Sequence, residues 1–193
     1  MIHSKRRKNQ RGNNILEFAL VALPLVMLLL GVTTTGLGLG RSVQVAQVCR
    51  DAASMYVRGV DFSRDGNKDV LVRLSHGLNL TRNGGDGVIM LSKVTWIPQQ
   101  TCTDLGLFPC NGDQHVVTQR IVIGNQPLRA SALGTPNSGL LDSKGLVNNY
   151  ITEASAVATF PMMTLQDGQY AYVAEVHFIG FMGGAPIYSR AIF

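Results

Sequence analysis

RGNNILEFALVALPLVMLLLGVTTTGLGLGR, residues 11–41, contains the longest apolar stretch of the 193-residue chain. Between Ile15 and Leu39 its one charged residue is Glu17, and it is otherwise interrupted by Pro24 and by a patch of Thr and Gly. About 20 mainly apolar residues suffice for a helix to cross a bilayer core of about 30 Å. The stretch therefore predicts a transmembrane helix, which we place at residues 13–40.

A cleaved secretory signal is the alternative interpretation of this stretch. Such a signal has an apolar region of about 7–15 residues that ends at a small-residue cleavage site. Here the apolar run is longer, and its far end, GLGLGR at residues 36–41, has no Ala-x-Ala pattern. These features favour an anchor that stays on the chain.

The charge of the chain is concentrated at one end. The net charge is +5, and the first twelve residues hold five basic side chains, Lys5, Arg6, Arg7, Lys8 and Arg11. The remaining 12 basic residues balance the 12 acidic ones, so the chain has no basic footprint for nucleic acid. By the positive-inside rule we expect residues 1–12 in the cytoplasm and everything after Arg41 on the far side of a membrane.

Glu17 is the residue of this stretch that most requires an explanation. A carboxylate near the centre of a bilayer costs about 2.5–3.5 kcal/mol on insertion scales, and less toward the interface. Its position near the start of the helix favours an acid, because a helix N-terminus carries a partial positive charge. A second interpretation uses Gly12, whose flexibility would let a peptidase draw the backbone into an extended conformation. A cut after Gly12 would leave Asn13 with a free amine, with which Glu17 could pair in an assembly.

Residues 11–25, RGNNILEFALVALPL, and the stretch CRDAA at 49–53 resemble the opening of TadE-like proteins. These are pseudopilins of the tight-adherence (Tad) pilus system, a branch of the type IV pilin superfamily. The resemblance implies that a prepilin peptidase cuts after Gly12 and that Glu17, at the fifth mature position, guides processing or assembly. Asn13 departs from the bulky apolar residue that follows the cut in major type IV pilins. Phe18 stands where Tad major pilins tend to carry Tyr, a difference associated with their pseudopilins.

The resemblance also implies partners and a location. The partners would be a prepilin peptidase, other pilins and pseudopilins, the Tad inner-membrane assembly platform and the lipid bilayer. The chain would be a single-pass protein of the bacterial inner membrane with its C-terminal domain outside the cytoplasm, available for a surface filament that serves adhesion. The rival hypothesis is an anchored extracytoplasmic binding or enzymatic domain that uses residues 13–40 as a signal anchor.

The apolar pattern changes to an amphipathic one after Arg41. Apolar residues recur at steps of three and four at Val45, Val48, Cys49, Ala52, Met55 and Tyr56, which is helical spacing. Gly59 is placed to end the helix. We predict one helix from about Ile15 to Arg58, roughly 65 Å long at about 1.5 Å per residue. Residues 41–59 would then form a stalk beyond the membrane.

Three residues of the predicted membrane helix bear on its packing. Pro24 should loosen the helix, because its ring removes one helical donor and clashes with the preceding turn. Gly36 and Gly40 form a small-xxx-small pair. Such a pair permits close approach of a second helix, but it also occurs as ordinary softening of one helix, and the two interpretations stay open.

Residues 60–193 are predicted to form the C-terminal domain. Val70, Leu71, Leu74 and Leu78 indicate a short amphipathic helix that ends near Thr81. Strand patterns follow at 88–97, 115–123, 170–178 and 187–193, and residues 124–147 are rich in loop formers. The predicted fold class is α+β, with a long N-terminal helix followed by a small, mainly antiparallel sheet, as the resemblance also implies.

Two stretches of this domain hold candidate metal ligands. Residues 61–69 imitate a calcium loop with Gly66 at the sixth position, but Val72 stands at the twelfth, where a bidentate Glu belongs. A polar turn followed by a helix is therefore favoured. Cys102 and Cys110 lie in a predicted loop and favour a disulfide over a metal site, since His115 is their only nearby companion.

The remaining reactive residues form no catalytic pattern in the sequence. We expect Cys49 to be a small buried residue, with an intersubunit bridge left open. Glu175 is expected to be a solvent-facing charge on a strand, and Trp96 to pack on the sheet. No nucleophile elbow or phosphate-binding motif is present. We therefore expect neither an enzyme nor a bound metal or cofactor.

Overall fold

The first element, α1, is a 48-residue helix, Gln10–Val57. The computed structural model of the chain describes residues 10–159, 165–180 and 184–193, with side chains from residue 15 on. α1 begins five residues before the predicted start at Ile15, so Gly12 lies inside its first turn rather than ahead of it. The chain divides into two compact units, residues 1–40 and residues 41–193, which we call the apolar unit and the sheet unit.

α1 ends just before Gly59, as predicted from the sequence. Gly59 has a φ of +84°, in the left-handed region that glycine adopts without strain. Its N–H donates to the carbonyl of Tyr56 at 3.0 Å, and the N–H of Val60 donates to the carbonyl of Met55 at 3.1 Å. This pair of bonds is the Schellman arrangement, which satisfies two carbonyls that a helix end leaves without partners.

The sheet unit continues with short helices and six strands. The elements after α1 are α2 (Asp65–Leu74), β1 (Leu80–Thr81), β2 (Gly84–Gly85), β3 (Gly87–Ile97), α3 (Gln99–Leu105), β4 (Gln114–Gly124), β5 (Tyr170–Phe178) and β6 (Ile187–Ile192). β1 and β2 form a two-stranded ladder, and the main sheet has the order β4-β3-β5-β6. Every pair is antiparallel, which confirms the predicted α+β class.

The four strand predictions are confirmed to within one residue at each end, whereas the short helix differs. α2 begins at Asp65 and ends at Leu74, so Leu78 lies outside it although its side chain is fully buried. The helix stops because the chain turns at 75–78, where Gly77 has a φ of +89° and Leu78 donates its N–H to Ser75. An apolar residue at helical spacing here fills the core from a turn.

One face of the main sheet packs against α1. The α1 side chains that are buried there follow a three-four repeat and are Val45, Val48, Cys49, Ala52, Ala53 and Tyr56. Opposite them lie the apolar side chains of β3, β4 and β5, including Ile89, Leu91, Ile121, Ile123, Ala174 and Val176. Met55, predicted on this face, is only partly buried. The amphipathic segment predicted as a stalk is thus the core helix of the sheet unit.

The connection between β4 and β5 covers the other face of the sheet. Leu133, Val147 and Ala156 of this connection pack on Val117 and Val173. Isolated bridges tie it to β4, at Gln119 with Leu146 and at Val116 with Val157. Within residues 124–147 it contains two short 3-10 turns, Gln126–Leu128 and Ser138–Leu140, and is otherwise mostly irregular, as its composition predicts.

The orientation of α1 on the sheet can be tested with two neighbouring substitutions to the same residue. Ala52 is fully buried whereas Asp51 is exposed, so Ala52→Glu places a charge in the apolar core. We expect Ala52→Glu to lower the free energy of unfolding by about 3–5 kcal/mol. Asp51→Glu should change it by less than about 0.5 kcal/mol. Thermal unfolding of the full chain in detergent measures both, and equal effects would contradict this packing.

Candidate functional site

The described side chains of the apolar unit, from Ile15 on, point outward. From Ile15 to Leu39 the large apolar side chains are exposed, and the most apolar window has a mean hydropathy of 2.6 with none of it buried. Within the described residues this is one helix whose length and composition would let it cross a membrane. An exposed apolar surface of this extent requires lipid or other helices around it.

The predicted processing site lies at the N-terminal end of α1. Gly12 and Asn13 have helical backbone in its first turns, and their side chains lie outside the described residues, as does the basic leader up to Asn9. Glu17 and Phe18 follow with exposed side chains. Because Asn13 and Glu17 are four residues apart, they lie on the same face of the helix, one turn from each other. A new terminus at Asn13 would therefore lie about one helical turn before the acid.

α1 continues without a break through Pro24. Since proline has no N–H, the carbonyl of Leu20 has no helical donor at that point. In lipid such a carbonyl is normally satisfied by a neighbouring helix, a polar side chain or water. Pro24 therefore leaves one carbonyl of the apolar helix to be satisfied by a side chain, by water or by a neighbouring helix.

The Thr and Gly patch forms a shallow groove along the helix. Thr33 and Thr35 donate their hydroxyls back to the carbonyls of Leu29 and Gly31, at 2.7 and 2.8 Å. This local bonding removes the polar cost of the hydroxyls in an apolar environment. At Gly36 and Gly40 no atom lies within 4 Å of the place a Cβ would occupy, so the helix surface is open there. That openness permits either interpretation of the glycine pair.

The three cysteines occupy two environments. Cys102 and Cys110 form a disulfide with their Cα atoms 5.9 Å apart, and Cys102 lies in α3 rather than in the loop predicted for it. Cys49 is fully buried on the α1 face and its Sγ donates to the carbonyl of Ala174 at 3.4 Å. Burial raises the pKa of the Cys49 thiol. An intersubunit bridge through Cys49 would require this core to open.

The acidic residues of the calcium-like stretch, residues 61–69, form hydrogen bonds and ion pairs with other residues of the chain. Asp61 accepts hydrogen bonds from the N–H and the hydroxyl of Ser63, at 3.0 and 2.6 Å. Asp69 accepts two bonds from the guanidinium of Arg82, which also lies 3.4 Å from Asp65. In the part of the chain that the structure describes, no three His, Cys, Asp or Glu side chains are grouped to hold a metal ion.

Glu175 is buried, so the prediction of a solvent-facing charge is wrong. Its carboxylate has no exposed surface and accepts hydrogen bonds from the hydroxyl of Ser131, from the N–H of Ala132 at 3.1 Å and from the hydroxyl of Tyr188 at 2.6 Å. The guanidinium of Arg190 lies 3.1 Å away. Burial alone would raise the pKa of Glu175, but these donors outweigh it and lower the pKa from its ordinary value of 4.5.

The sequence contains an indication that Glu175 is buried, although a single charge in a strand pattern suggests a solvent-facing residue. β5 has apolar or small residues on both faces from Ala171 to Val176, which indicates a strand covered on both sides. Arg190 and Tyr188 lie on β6, and Arg190 is the register partner of Glu175. A carboxylate in a strand that is buried on both sides requires such partners. What the sequence does not reveal is that Ser131 folds back from the long connection.

Comparison with known proteins identifies the helical segment alone. Residues 15–54 match the family model described as TadE-like protein. No curated protein and no solved structure matches the chain. The resemblance predicted from the first third of the sequence is confirmed over this segment, which holds Glu17, Phe18, Pro24 and the amphipathic face of α1.

The burial of Glu175 predicts how stability depends on pH. Because its pKa is lower in the folded state than in the unfolded state, it stabilises the fold above about pH 4.5, and this contribution is lost as the pH falls through the folded pKa. We expect Glu175→Gln to lower the free energy of unfolding by about 2–3 kcal/mol at pH 7. Below pH 4.5 the free energies of unfolding of Glu175→Gln and of the unmodified chain should become more similar.

Denaturant unfolding between pH 3 and pH 7 measures this effect, with Asp167→Asn, at an exposed position, as the matched control. The control should change stability by less than about 0.5 kcal/mol across the range. If Glu175→Gln is as stable as the unmodified chain at pH 7, the charged carboxylate does not stabilise the fold and the prediction is wrong.

Proposed function

We propose, since residues 15–54 match TadE-like proteins, that this chain is a TadE-like pseudopilin. It would be made as a membrane precursor, trimmed after Gly12 by a prepilin peptidase, and used in the assembly of a Tad-type pilus or a related secretion filament. The observation that carries the proposal is the carboxylate of Glu17 on an exposed apolar helix, inside the segment that the family model matches.

The proposed location is the bacterial inner membrane, with the N-terminus in the cytoplasm. Five basic residues precede the apolar helix, and the positive-inside rule keeps such residues in the cytoplasm. The sheet unit then lies outside the cytoplasm. The disulfide between Cys102 and Cys110 supports this side, because disulfides persist in oxidising compartments such as the periplasm.

Processing after Gly12 requires the end of α1 to open. The first four N–H groups of a helix have no intrahelical partner, so its first turn is the easiest part to unwind. A glycine there lowers the cost further, by roughly 0.5–1 kcal/mol relative to alanine. A prepilin peptidase can therefore draw residues around Gly12 into an extended conformation while the rest of α1 stays helical.

Cleavage would change the electrostatics of Glu17. The new terminus at Asn13 carries a positively charged amine one helical turn from the carboxylate, in the same chain or in a neighbouring subunit. In lipid the carboxylate costs up to about 2.5–3.5 kcal/mol, depending on its depth. Helices packed in an assembly, with an amine near the carboxylate, relieve that cost. Glu17 thus favours the assembled environment over free lipid.

The proposed role of the sheet unit is structural rather than catalytic. Its most buried carboxylate, Glu175, uses its oxygens on Ser131, Ala132, Tyr188 and Arg190, all of which hold strands and the connection together. These contacts supply no free nucleophile or general base. The sheet unit would serve as the part of the pseudopilin that meets other subunits.

Replacing Glu17 by Gln tests the proposal. We expect Glu17→Gln to reach the membrane at normal levels, because an amide is less costly in lipid than a carboxylate. Its incorporation into sheared filaments or assembly complexes should fall at least about tenfold, which corresponds to about 1.4 kcal/mol. Immunoblots of the membrane and sheared fractions measure the two quantities.

Leu16→Gln is the matched control, since it adds the same amide beside Glu17 and keeps the carboxylate. It should leave incorporation within about twofold of the unmodified chain. Normal incorporation of Glu17→Gln would sink the role proposed for the carboxylate.

A further inference from the structure

The disulfide-closed segment from Cys102 to Cys110, called the 102–110 loop, consists of the end of α3 and the turn after it, and it presents an apolar tip on the sheet unit. Phe108 is 98% exposed, and Leu105 and Leu107 are 55% and 36% exposed. Single exposed apolar residues are ordinary, but three within four positions of one short loop form a patch. An aromatic side chain held this far into solvent is the kind of anchor that fills a pocket on a binding partner.

The base of the loop is held in place. The disulfide joins Cys102 to Cys110, and Gly106 ends α3 in the left-handed conformation with a φ of +60°. Beside the disulfide, Asn111 donates its side-chain amide to the carbonyls of Tyr150 and Glu153, at 2.9 and 2.8 Å. A tip that is already ordered loses little conformational entropy on binding.

The sheet unit also has a pocket of about 240 Å³ at the end of the α1 face. Its exposed surface is somewhat more polar than apolar: the side chains of Tyr56, Val60, Phe62, Ile121 and Tyr172 line it together with those of Asp61, Lys93 and Gln119. The rings of Tyr56 and Tyr172 meet edge to face with their centroids 5.2 Å apart. An aromatic side chain entering this pocket would meet the same edge and face contacts that aromatic pairs favour.

One charged group of the pocket, the ammonium of Lys93, can pair with an acid of the tip. The ammonium of Lys93 lies 3.8 Å from the ring centroid of Tyr170, and no ion pair joins it to a carboxylate among the described residues. Asp61 also lines the pocket, but it already lies 3.3 Å from Arg64 and accepts from Ser63. The tip carries an acid, Asp104, directly before Leu105.

We propose that the 102–110 loop of one copy docks in this pocket of a second copy, with Phe108 inside it and Asp104 beside Lys93. Every copy offers one tip and one pocket, so the contact can repeat from copy to copy. An anionic lipid surface fits the tip less well, because residues 98–113 contain no Lys or Arg. The inference concerns the sheet unit alone and does not depend on the proposed function.

Photo-crosslinking of the full chain in its own membrane tests where the tip lies. Phe108 is replaced by the photoreactive aromatic p-benzoylphenylalanine, and the crosslinked peptides are identified by mass spectrometry. We expect a covalent dimer whose second peptide contains residues 56–62, 119–121 or 172. The same replacement at Val70, which is 43% exposed on α2, should give no dimer at that pocket.

The inference is overturned if Phe108 gives no dimer, or if it reacts with lipid, with another protein or with a part of the second copy outside the pocket. If Phe108 gives no dimer at the pocket but Glu17→Gln reduces filament incorporation, the docking contact is rejected and the pseudopilin proposal stands. If Phe108 does give that dimer but Glu17→Gln is incorporated normally, the docking contact stands and the role proposed for Glu17 is rejected.

A charge exchange tests the pairing of Asp104 with Lys93. With the photoreactive residue at position 108, Asp104→Lys and Lys93→Glu should each lower the dimer yield about two- to fivefold, the effect expected of an exposed ion pair. The two changes together should restore at least half of the original yield. Resistance to proteolysis checks that each variant is folded, and a double variant no better than the single ones would contradict the pairing.

Discussion

α1 changes its pattern of apolar residues near Arg41, and the two units of the chain depend on that change. Up to Leu39 the apolar residues cover the helix on all sides, which suits lipid or other helices. From Val45 to Tyr56 they are confined to one face, and that face covers the sheet. The sheet has no other helix of comparable length to cover this side, among the described residues. Without this contact Ile89, Leu91 and Val176 would face water.

The second face of the sheet is closed by an irregular connection, which needs a different kind of restraint. Apolar contacts from Leu133 and Val147 supply part of it. Glu175 adds a polar restraint, because its carboxylate binds Ser131 and Ala132 of the connection and Tyr188 of β6 at once. A buried carboxylate with this many donors is costly to leave unpaired. It therefore specifies one arrangement of β5, β6 and the connection.

The features read correctly from sequence are those set by local periodicity. The strands and the amphipathic face of α1 follow from alternation and from three-four spacing, and Gly59 ends α1 because only glycine adopts its conformation freely. The errors arise where a contact distant in sequence decides. Leu78 fills the core from a turn, Cys102 lies in a short helix, and Glu175 is buried by a loop more than 40 residues away. Local pattern can indicate that a strand is covered on both sides, but it does not identify the distant residues that cover it.

The account of function rests on an acid accepted at the start of an apolar helix because cleavage creates an amine next to it. Asn13 and Glu17 are one helical turn apart in α1, so the proposed removal of the leader would place an amine within reach of the carboxylate. The most direct measurement is the intact mass of the chain extracted from membranes of cells with an active prepilin peptidase. The account predicts a mature chain that begins at Asn13. A chain that still carries residues 1–12 in those cells would contradict it.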